Sequence, residues 1–135
     1  MIINMKHRCP PTIFCDIDGT IWRHDNDIMR SLNGKQKLLP GVFDNFLDWH
    51  RQGWRIFLTT GRPEALREET ERQLRELGIF YNQIIMDCGP GPRVLINDME
   101  ETVDDIKFKA KAQAVNLIRD EGMENLEINY TQEKD

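Results

Sequence analysis

The sequence predicts an α/β fold, with a single domain over residues 1–135 and a mainly parallel central sheet. Three observations support this. Short apolar runs of strand length alternate along the chain with stretches of helical periodicity. The runs are apolar almost from end to end, which is typical of strands buried in a parallel sheet. Polar side chains follow directly after them, where the carboxyl ends of parallel strands commonly form a ligand site.

Charge and composition exclude some classes of function. The net charge of -5 and the pI of about 5.2 argue against a protein that grips nucleic acid through a basic surface, although they leave a local basic groove open. The N-terminal residues have no apolar leader core, and no run is long enough to span a bilayer. We expect a cytoplasmic protein without a membrane partner. The three cysteines lack metal-binding spacing, so reduced thiols are expected.

The first half of the chain contains two predicted strands and one helix. Apolar side chains recur at i, i+3, i+4 and i+7 between Gly41 and Gln52, and Gly53 ends that helical pattern. The turn formers before Gly41 indicate a projecting segment. The predicted elements are, in order, an irregular lead-in at 1–11, a strand at 12–16 or 12–17, a loop or β-hairpin flap at 20–40, a helix at 41–52 and a strand at 54–59.

The second half begins with a helix that Pro63 starts and Gly78 caps. A Gly/Pro-rich break at 88–92 separates two short apolar runs. Apolar and polar residues then alternate between Phe108 and Asn116, a period that favours a strand. The predicted elements are, in order, a helix at 63–77, a short strand at 84–86, a strand at 93–97, an acidic loop at 100–105, a strand pattern at 108–116 and a frayed polar tail from 127.

Two carboxylates follow the first predicted strand. Asp16 and Asp18 are two residues apart, so they would share a face if the strand continued, and Gly19 and Thr20 come next. Paired carboxylates repel each other unless a cation is present. Mg²⁺ is favoured, since it takes one or two carboxylates together with substrate phosphate and water. The alternative is ordinary turn chemistry, because Asp-Gly after a strand is a common turn.

Two further polar loops follow other predicted strands. Thr60, Gly61 and Arg62 come after the second strand, and Asp98 comes after the run that ends at Asn97. The carboxyl ends of parallel strands lie at one edge of a sheet, so these loops are expected to meet the Asp16 loop there. For Arg62 two interpretations stand side by side, a substrate contact and a salt bridge that shapes the loop.

Asp16-Ile17-Asp18-Gly19-Thr20 resembles the DxDGT motif of the haloacid dehalogenase superfamily of phosphotransferases. Thr60 in Thr-Gly-Arg resembles that family's second motif, and Asp98 resembles its fourth, acidic motif. The resemblance covers roughly 12–102 and implies a three-layer Rossmann-like fold. It also implies a phosphatase in which Asp16 is the nucleophile and Asp18 the general acid and base. Mg²⁺ would be held by Asp16, the backbone carbonyl of Asp18 and Asp98. Phosphate or substrate contacts are implied for Gly19, Thr20, Thr60, Gly61, Arg62 and Arg93.

The sequence departs from the family pattern in two places. The family supplies a lysine between its second and fourth motifs, whereas every basic residue from Arg67 through Arg93 is arginine. The residues that could replace it are Arg93, Lys35, Lys37 and Lys111. The six residues 87–92 are also too few for a crossover helix, since they span only about 20 Å when extended. The second acidic residue of the fourth motif stays open among Glu100, Glu101, Asp104 and Asp105.

The inserted segments are too short for a cap domain, which implies a capless member of the superfamily. The segment 20–39 resembles the hairpin flap of the tetrameric 3-deoxy-manno-octulosonate 8-phosphate phosphatases. This resemblance implies a homo-oligomer, such as a tetramer, in which the flap closes the site. A small phosphorylated substrate such as a sugar phosphate is expected. One alternative is a polynucleotide 3′-phosphatase, which is also capless. Another is a non-catalytic protein that binds a metal or a partner.

Overall fold

The structure, a computed structural model, describes residues 1–101 and 108–134. It has a mixed α/β architecture with mostly parallel strands, as the sequence predicts. No helix in these ranges is long and apolar enough to cross a membrane. The strands are β1 (Ile2–His7), β2 (Thr12–Asp16), β3 (Arg55–Thr59), β4 (Gln83–Ile85), β5 (Met99–Glu101), β6 (Phe108–Ala110) and β7 (Glu127–Gln132). The helices are α1 (Ile28–Asn33), α2 (Val42–Arg51) and α3 (Arg67–Glu76), with a 3-10 turn at Glu64–Leu66 before α3.

The central sheet has the strand order β2-β3-β4, and all three strands are parallel. One of its faces is buried, because alternate residues such as Cys15 and Leu58 point inward. These side chains form one cluster with Phe46 of α2 and Leu74 of α3. The two helices therefore cover this face and fix the carboxyl ends of β2 and β3 side by side, with Asp16 opposite Thr59.

The other face of the central sheet is open. Phe14 is 55% exposed and Ile85 is 46% exposed, and Phe14 packs against Phe57 at a ring-centroid distance of 5.5 Å. A three-layer fold would place helices here. Within the described ranges no helix covers this face, so the third layer expected from the resemblance is not seen.

The two ends of the described chain form a parallel strand pair. Strand β1 pairs with β7 in a register that places Ile3 opposite Ile128. Ile3 is buried, while Ile128 and Tyr130 pack against the same core, so this pair is part of the folded domain. The predictions of an irregular lead-in at 1–11 and a frayed tail from 127 were wrong. Only alternate residues of each strand turn towards the core, and the pairing joins positions too distant in sequence for a local pattern to reveal.

The segment 20–40 contains helix α1 and no β-hairpin. Asp27 caps the helix, since its side chain accepts hydrogen bonds from the backbone N–H groups of Met29 and Arg30 at 3.0 and 3.3 Å. Asp25 accepts two more from the Arg30 guanidinium, both at 2.8 Å. The hairpin prediction is corrected for a physical reason. The aspartates that were interpreted as turn formers are instead the capping residues of a short helix.

The chain after β4 does not form the predicted strand at 93–97. The described residues there have no regular structure, and Val94, Leu95 and Ile96 are 84%, 63% and 91% exposed. The strand pattern predicted at 108–116 shortens to β6, which pairs antiparallel with β5. The short connection from β4 is the physical reason, because it provides no crossover that would return the chain to the start of a parallel strand.

Candidate functional site

Asp16 is the last residue of β2 and lies next to the hydroxyl group of Thr20. The Thr20 Oγ1–H donates to Asp16 Oδ2 at 3.3 Å. The turn between them forms because the N–H groups of Thr20 and Ile21 both donate to the Ile17 carbonyl, at 3.1 and 2.8 Å. Gly19 permits this turn with its φ of 89°, a value that side-chain-bearing residues rarely adopt. The structure thus brings together the predicted nucleophile, Gly19 and Thr20.

The environment of Asp16 opposes its negative charge. Burial of the carboxyl group is the largest effect and raises its pKa, and the nearby charge of Asp18 acts in the same direction. Hydrogen bonds from Ile17 and Thr20 and the positive charge of Arg93 act in the opposite direction. Asp16 as a residue is exposed, so solvent moderates the effect. Arg93, a predicted substitute for the family lysine, therefore lies close enough for its field to reach Asp16.

Asp18 is held by two neighbouring side chains. Arg62 donates from Nε to Oδ2 at 3.0 Å and from Nη2 to Oδ1 at 2.9 Å, a bidentate pair. The indole N–H of Trp22 donates to Oδ1 at 2.8 Å. Trp22 is fully buried, so its ring is packed in the core. Oδ1 of Asp18 thus accepts two hydrogen bonds and Oδ2 accepts one, which leaves an acceptor position on Oδ2.

Arg62 is a buried cation without a donor left for substrate. It is 3% exposed, and its remaining N–H groups donate to Ser31, Thr70 and Gln73. Of the two interpretations left open by the sequence, the structure supports the salt bridge. The prediction of a direct substrate contact for Arg62 is corrected accordingly, because all five guanidinium N–H groups have acceptors within the protein.

Thr60 and Gly61 lie in a loop that is closely packed against the chain after β4. Thr60 is 1% exposed, its backbone N–H donates to the Ile85 carbonyl, and its carbonyl accepts from the N–H of Cys88, both at 3.0 Å. A Cβ atom on Gly61 would come within 2.7 Å of the Gly89 carbonyl oxygen. Glycine is therefore required here by packing. Phosphate contacts by Thr60 and Gly61 remain predictions.

Asp98 is exposed and does not join the other acidic residues. Within residues 1–101 and 108–134, no group of three His, Cys, Asp or Glu side chains could hold a metal ion. Of the candidates for the second acidic residue, Glu100 instead accepts a hydrogen bond from His7 at 2.9 Å, and this bond lowers the pKa of its carboxyl group. Asp104 and Asp105 lie outside the described residues.

The donor chemistry nevertheless fits Mg²⁺ at Asp16. Mg²⁺ needs only one or two carboxylates when substrate phosphate and water supply the rest. Asp16 forms no ion pair within the described parts of the chain, and since its carboxyl pKa is raised, a bound cation would stabilise its charged form. The ligand that the resemblance implies at Asp18 is its backbone carbonyl, which leaves the side chain free to keep its hydrogen bonds with Arg62.

The other basic candidates and the cysteines have other surroundings. Lys111 forms an ion pair with Glu100 at 3.3 Å, so its charge is paired there; its predicted role at the phosphate site stays a prediction. Lys35 lines a separate cavity, described below. Burial raises the pKa of the Cys15 thiol to about 12, and the charge of Asp16 adds to this. Cys15 is therefore a protonated core residue and not a nucleophile.

A C-terminal turn that sequence reasoning did not identify supports the Asp16 loop. The backbone N–H of Asp120 donates to the Gly19 carbonyl at 2.9 Å, and its carboxylate accepts from the N–H of His24 at 2.7 Å. The side chain of Arg119 lies over Gly19. The only local signal was Asp120-Glu121-Gly122, an ordinary turn sequence.

Comparison with known proteins gives matches in solved structures alone. No protein-family model matches the chain, and no curated protein does. A chain of the Pnkp1/Rnl/Hen1 complex matches with a TM-score of 0.50 and 30% identity, over 56% of this chain and 26% of that one. A chain of a Pnkp1/Rnl/Hen1 RNA repair complex matches with a TM-score of 0.48 and 29% identity, over 56% and 25%.

D,D-heptose 1,7-bisphosphate phosphatase from B. bronchiseptica, complexed with magnesium and phosphate, matches with a TM-score of 0.42 and 22% identity, over 65% of this chain and 52% of that one. The chain spans about a quarter of the length of the two repair-complex chains. The match at a TM-score of 0.50, taken with the DxDGT and Thr-Gly-Arg motifs, supports the recognition of this chain as similar to the haloacid dehalogenase superfamily.

Proposed function

We propose that this chain is a Mg²⁺-dependent phosphomonoesterase that acts through a phosphoryl group carried on Asp16. The observation that supports this best is the position of Asp16 at the carboxyl end of β2, beside Thr20 and within the field of Arg93. An ionisable carboxylate at the end of a parallel strand, without an ion-pair partner in the described chain, is a suitable nucleophile toward phosphorus.

The reaction would proceed in two steps. An Asp16 oxygen attacks phosphorus while the bond from phosphorus to the ester oxygen breaks, and Asp18 delivers a proton to the departing alcohol. Water then attacks the same phosphorus, Asp18 takes its proton, and the Asp16–phosphate bond breaks to release inorganic phosphate. Bound Mg²⁺ would neutralise charge on the phosphoryl group and the nucleophile. Arg93 would add positive charge on the side where the family pattern has lysine.

A small anionic substrate is favoured by a separate cavity, which lies in the segment that follows the Asp16 loop in sequence and is not lined by Asp16 or Asp18. This cavity, of about 460 Å³, is lined by residues of the segment 23–36, among them Arg23, His24, Arg30 and Lys35. Arg30 is already paired with Asp25, whereas Lys35 is exposed. A cleft of this size and charge suits a sugar phosphate or a similar metabolite.

A polynucleotide 3′-phosphatase is the second candidate, and one observation favours it. The solved structure at 30% identity is a chain of the Pnkp1/Rnl/Hen1 complex. The net charge of -5 argues in the other direction, since a nucleic-acid enzyme normally presents a basic surface. Activity on 3′-phosphorylated oligonucleotides that falls steeply with salt would favour this candidate over the first.

A panel of phosphomonoesters tests the proposal. We expect phosphate release from at least one sugar phosphate in the presence of Mg²⁺, loss of the activity with EDTA and recovery when Mg²⁺ is restored. Asp16→Asn should lower turnover at least about 10³-fold with the fold intact by circular dichroism. Turnover without a divalent metal, or near-normal turnover by Asp16→Asn, would contradict the mechanism. Size-exclusion chromatography tests the expected homo-oligomer separately.

A further inference from the structure

The guanidinium group of Arg62 connects three segments of the chain through one buried charge. It forms two hydrogen bonds to Asp18 in the loop after β2, one to Ser31 in α1, and two to Thr70 and Gln73 in α3 at 2.9 and 2.8 Å. The five N–H groups of an arginine are therefore all used. The cation also lies over the ring of Trp22, at 5.3 Å from the ring centroid.

The partners of Arg62 are themselves fixed. Ser31, Thr70 and Gln73 are 2%, 0% and 3% exposed. Gln73 also donates from Nε2 to the Ser31 carbonyl at 2.8 Å, and Thr70 donates to the Leu66 carbonyl at 2.8 Å. A buried guanidinium with a saturated, rigid set of acceptors has one orientation. The carboxylate that it holds in a bidentate pair then has one orientation as well.

Asp18 lies at the open end of this network. Its side chain is 23% exposed, whereas that of Arg62 is 2% exposed. The network thus spans the distance from the packed interior of α1 and α3 to the carboxylate proposed to transfer the proton. The side chain of Asp18 is the more exposed of the two, as expected if Asp18 contacts substrate and Arg62 does not.

We infer that Arg62 is the positioning residue of Asp18, and that it sets the orientation in which Asp18 gives a proton to the leaving group. This inference rests on the proposed phosphatase function. Arg62 has no free donor in the described structure and acts through Asp18 alone. Proton transfer by a positioned side chain is typically worth 10²–10⁴-fold in rate, so misplacing Asp18 should cost a comparable factor.

The dependence on the leaving group separates positioning from a merely structural role. A sugar or glycerol phosphate releases an alkoxide that needs a proton, while p-nitrophenyl phosphate releases an anion stable in water. Arg62→Gln should lower kcat by about 10²-fold or more on the alkyl phosphate and by less than about 10-fold on the aryl phosphate. The KM values should change little, because Arg62 does not bind substrate. Arg75→Gln, at an exposed arginine on α3, the helix that also carries Thr70 and Gln73, is the control and should change neither substrate's kcat.

A double-mutant cycle with Asp18→Asn completes the test. If Arg62 acts through Asp18, then Arg62→Gln should add less than about 3-fold to the loss already caused by Asp18→Asn. Asp18→Asn/Arg62→Gln removes both charges, so it keeps the test usable if Arg62→Gln alone does not fold, and Arg62→Lys should recover part of the alkyl phosphate activity. Selective loss with non-additivity supports the inference.

Equal losses on both substrates, or additive losses in the double mutant, would overturn it and leave Arg62 a residue of the fold. The wild-type measurement separates this failure from that of the proposed function. If the wild type releases no more phosphate than Asp16→Asn from either substrate, the proposed function fails, and the inference fails with it.

Discussion

The central sheet and the segment 91–99 contain similar apolar runs, but the run in the sheet is largely buried and the run in the segment is exposed. Leu58 in β3 is fully buried, and the loop after its strand is tied to neighbouring loops by backbone and side-chain hydrogen bonds. Ile96 is 91% exposed, and every residue from 91 to 99 is exposed. Hydrophobic content does not explain the difference. The connection does, since β3 is reached through α2 and its turn, whereas the chain from β4 to residue 93 has no crossover.

The largest expected difference between the two regions is in stability. Leu58→Ala should lower the free energy of unfolding by about 2–5 kcal/mol, because it leaves a cavity in the core. Ile96→Ala should change it by less than about 0.5 kcal/mol, since the side chain is already in solvent. Urea unfolding of both variants measures this. Equal destabilisation by the two substitutions would mean that Ile96 is packed in a core as Leu58 is, which would contradict its exposure.

A smaller difference in stability is expected between variants of two glycines, Gly61 in the loop after β3 and Gly91 in the chain after β4. Gly61→Ala places a Cβ atom 2.7 Å from the Gly89 carbonyl oxygen, so backbone must shift, at a cost of about 1–3 kcal/mol. Gly91→Ala meets no atom within 4 Å and should be near neutral. Thermal unfolding of the pair measures the contrast. A neutral Gly61→Ala would show that the loops at 60–62 and 87–89 are not in contact.

The smallest effect concerns the charge of Asp16. Because its pKa is raised in the folded protein, ionisation of Asp16 stabilises the unfolded chain more, so the contribution of Asp16 to stability should fall as pH rises above 3.8, the ordinary value. Asp16→Asn removes this cost and should be slightly more stable than the wild type at pH 7, with the difference shrinking as pH falls towards 3.8. Melting temperatures across that range measure it. If Asp16→Asn were less stable than the wild type at pH 7, the pKa of Asp16 would be lowered and not raised in the folded protein.

The sequence was sufficient for the elements whose signals are local. Strand β2 matches the predicted bounds of Thr12 to Asp16, and β3, α2 and α3 lie within a few residues of their predicted ranges. Each has its own periodicity and its own stop signal. The β1–β7 pair was not predictable in this way, because its strands are far apart in sequence and each buries only alternate residues.

The candidate site was predictable in its composition and only partly in its geometry. Asp16, Gly19 and Thr20 come together as expected because they lie within five consecutive residues of one strand and turn. The pairing of Asp18 with Arg62 depends on the packing of α1 and α3, so the sequence left two interpretations of Arg62 open. The metal-binding role of Asp98 stays a prediction, since Asp98 lies in the exposed segment.

Direct detection of the phosphoryl group on Asp16 tests the central claim most closely. The wild type would be mixed with Mg²⁺ and a turned-over phosphomonoester and quenched in acid, and its peptides analysed by mass spectrometry. The account predicts one added phosphoryl group on the peptide that contains residues 12–20, assigned to Asp16 and absent from Asp16→Asn. Turnover by the wild type with the phosphoryl group on another residue would contradict it.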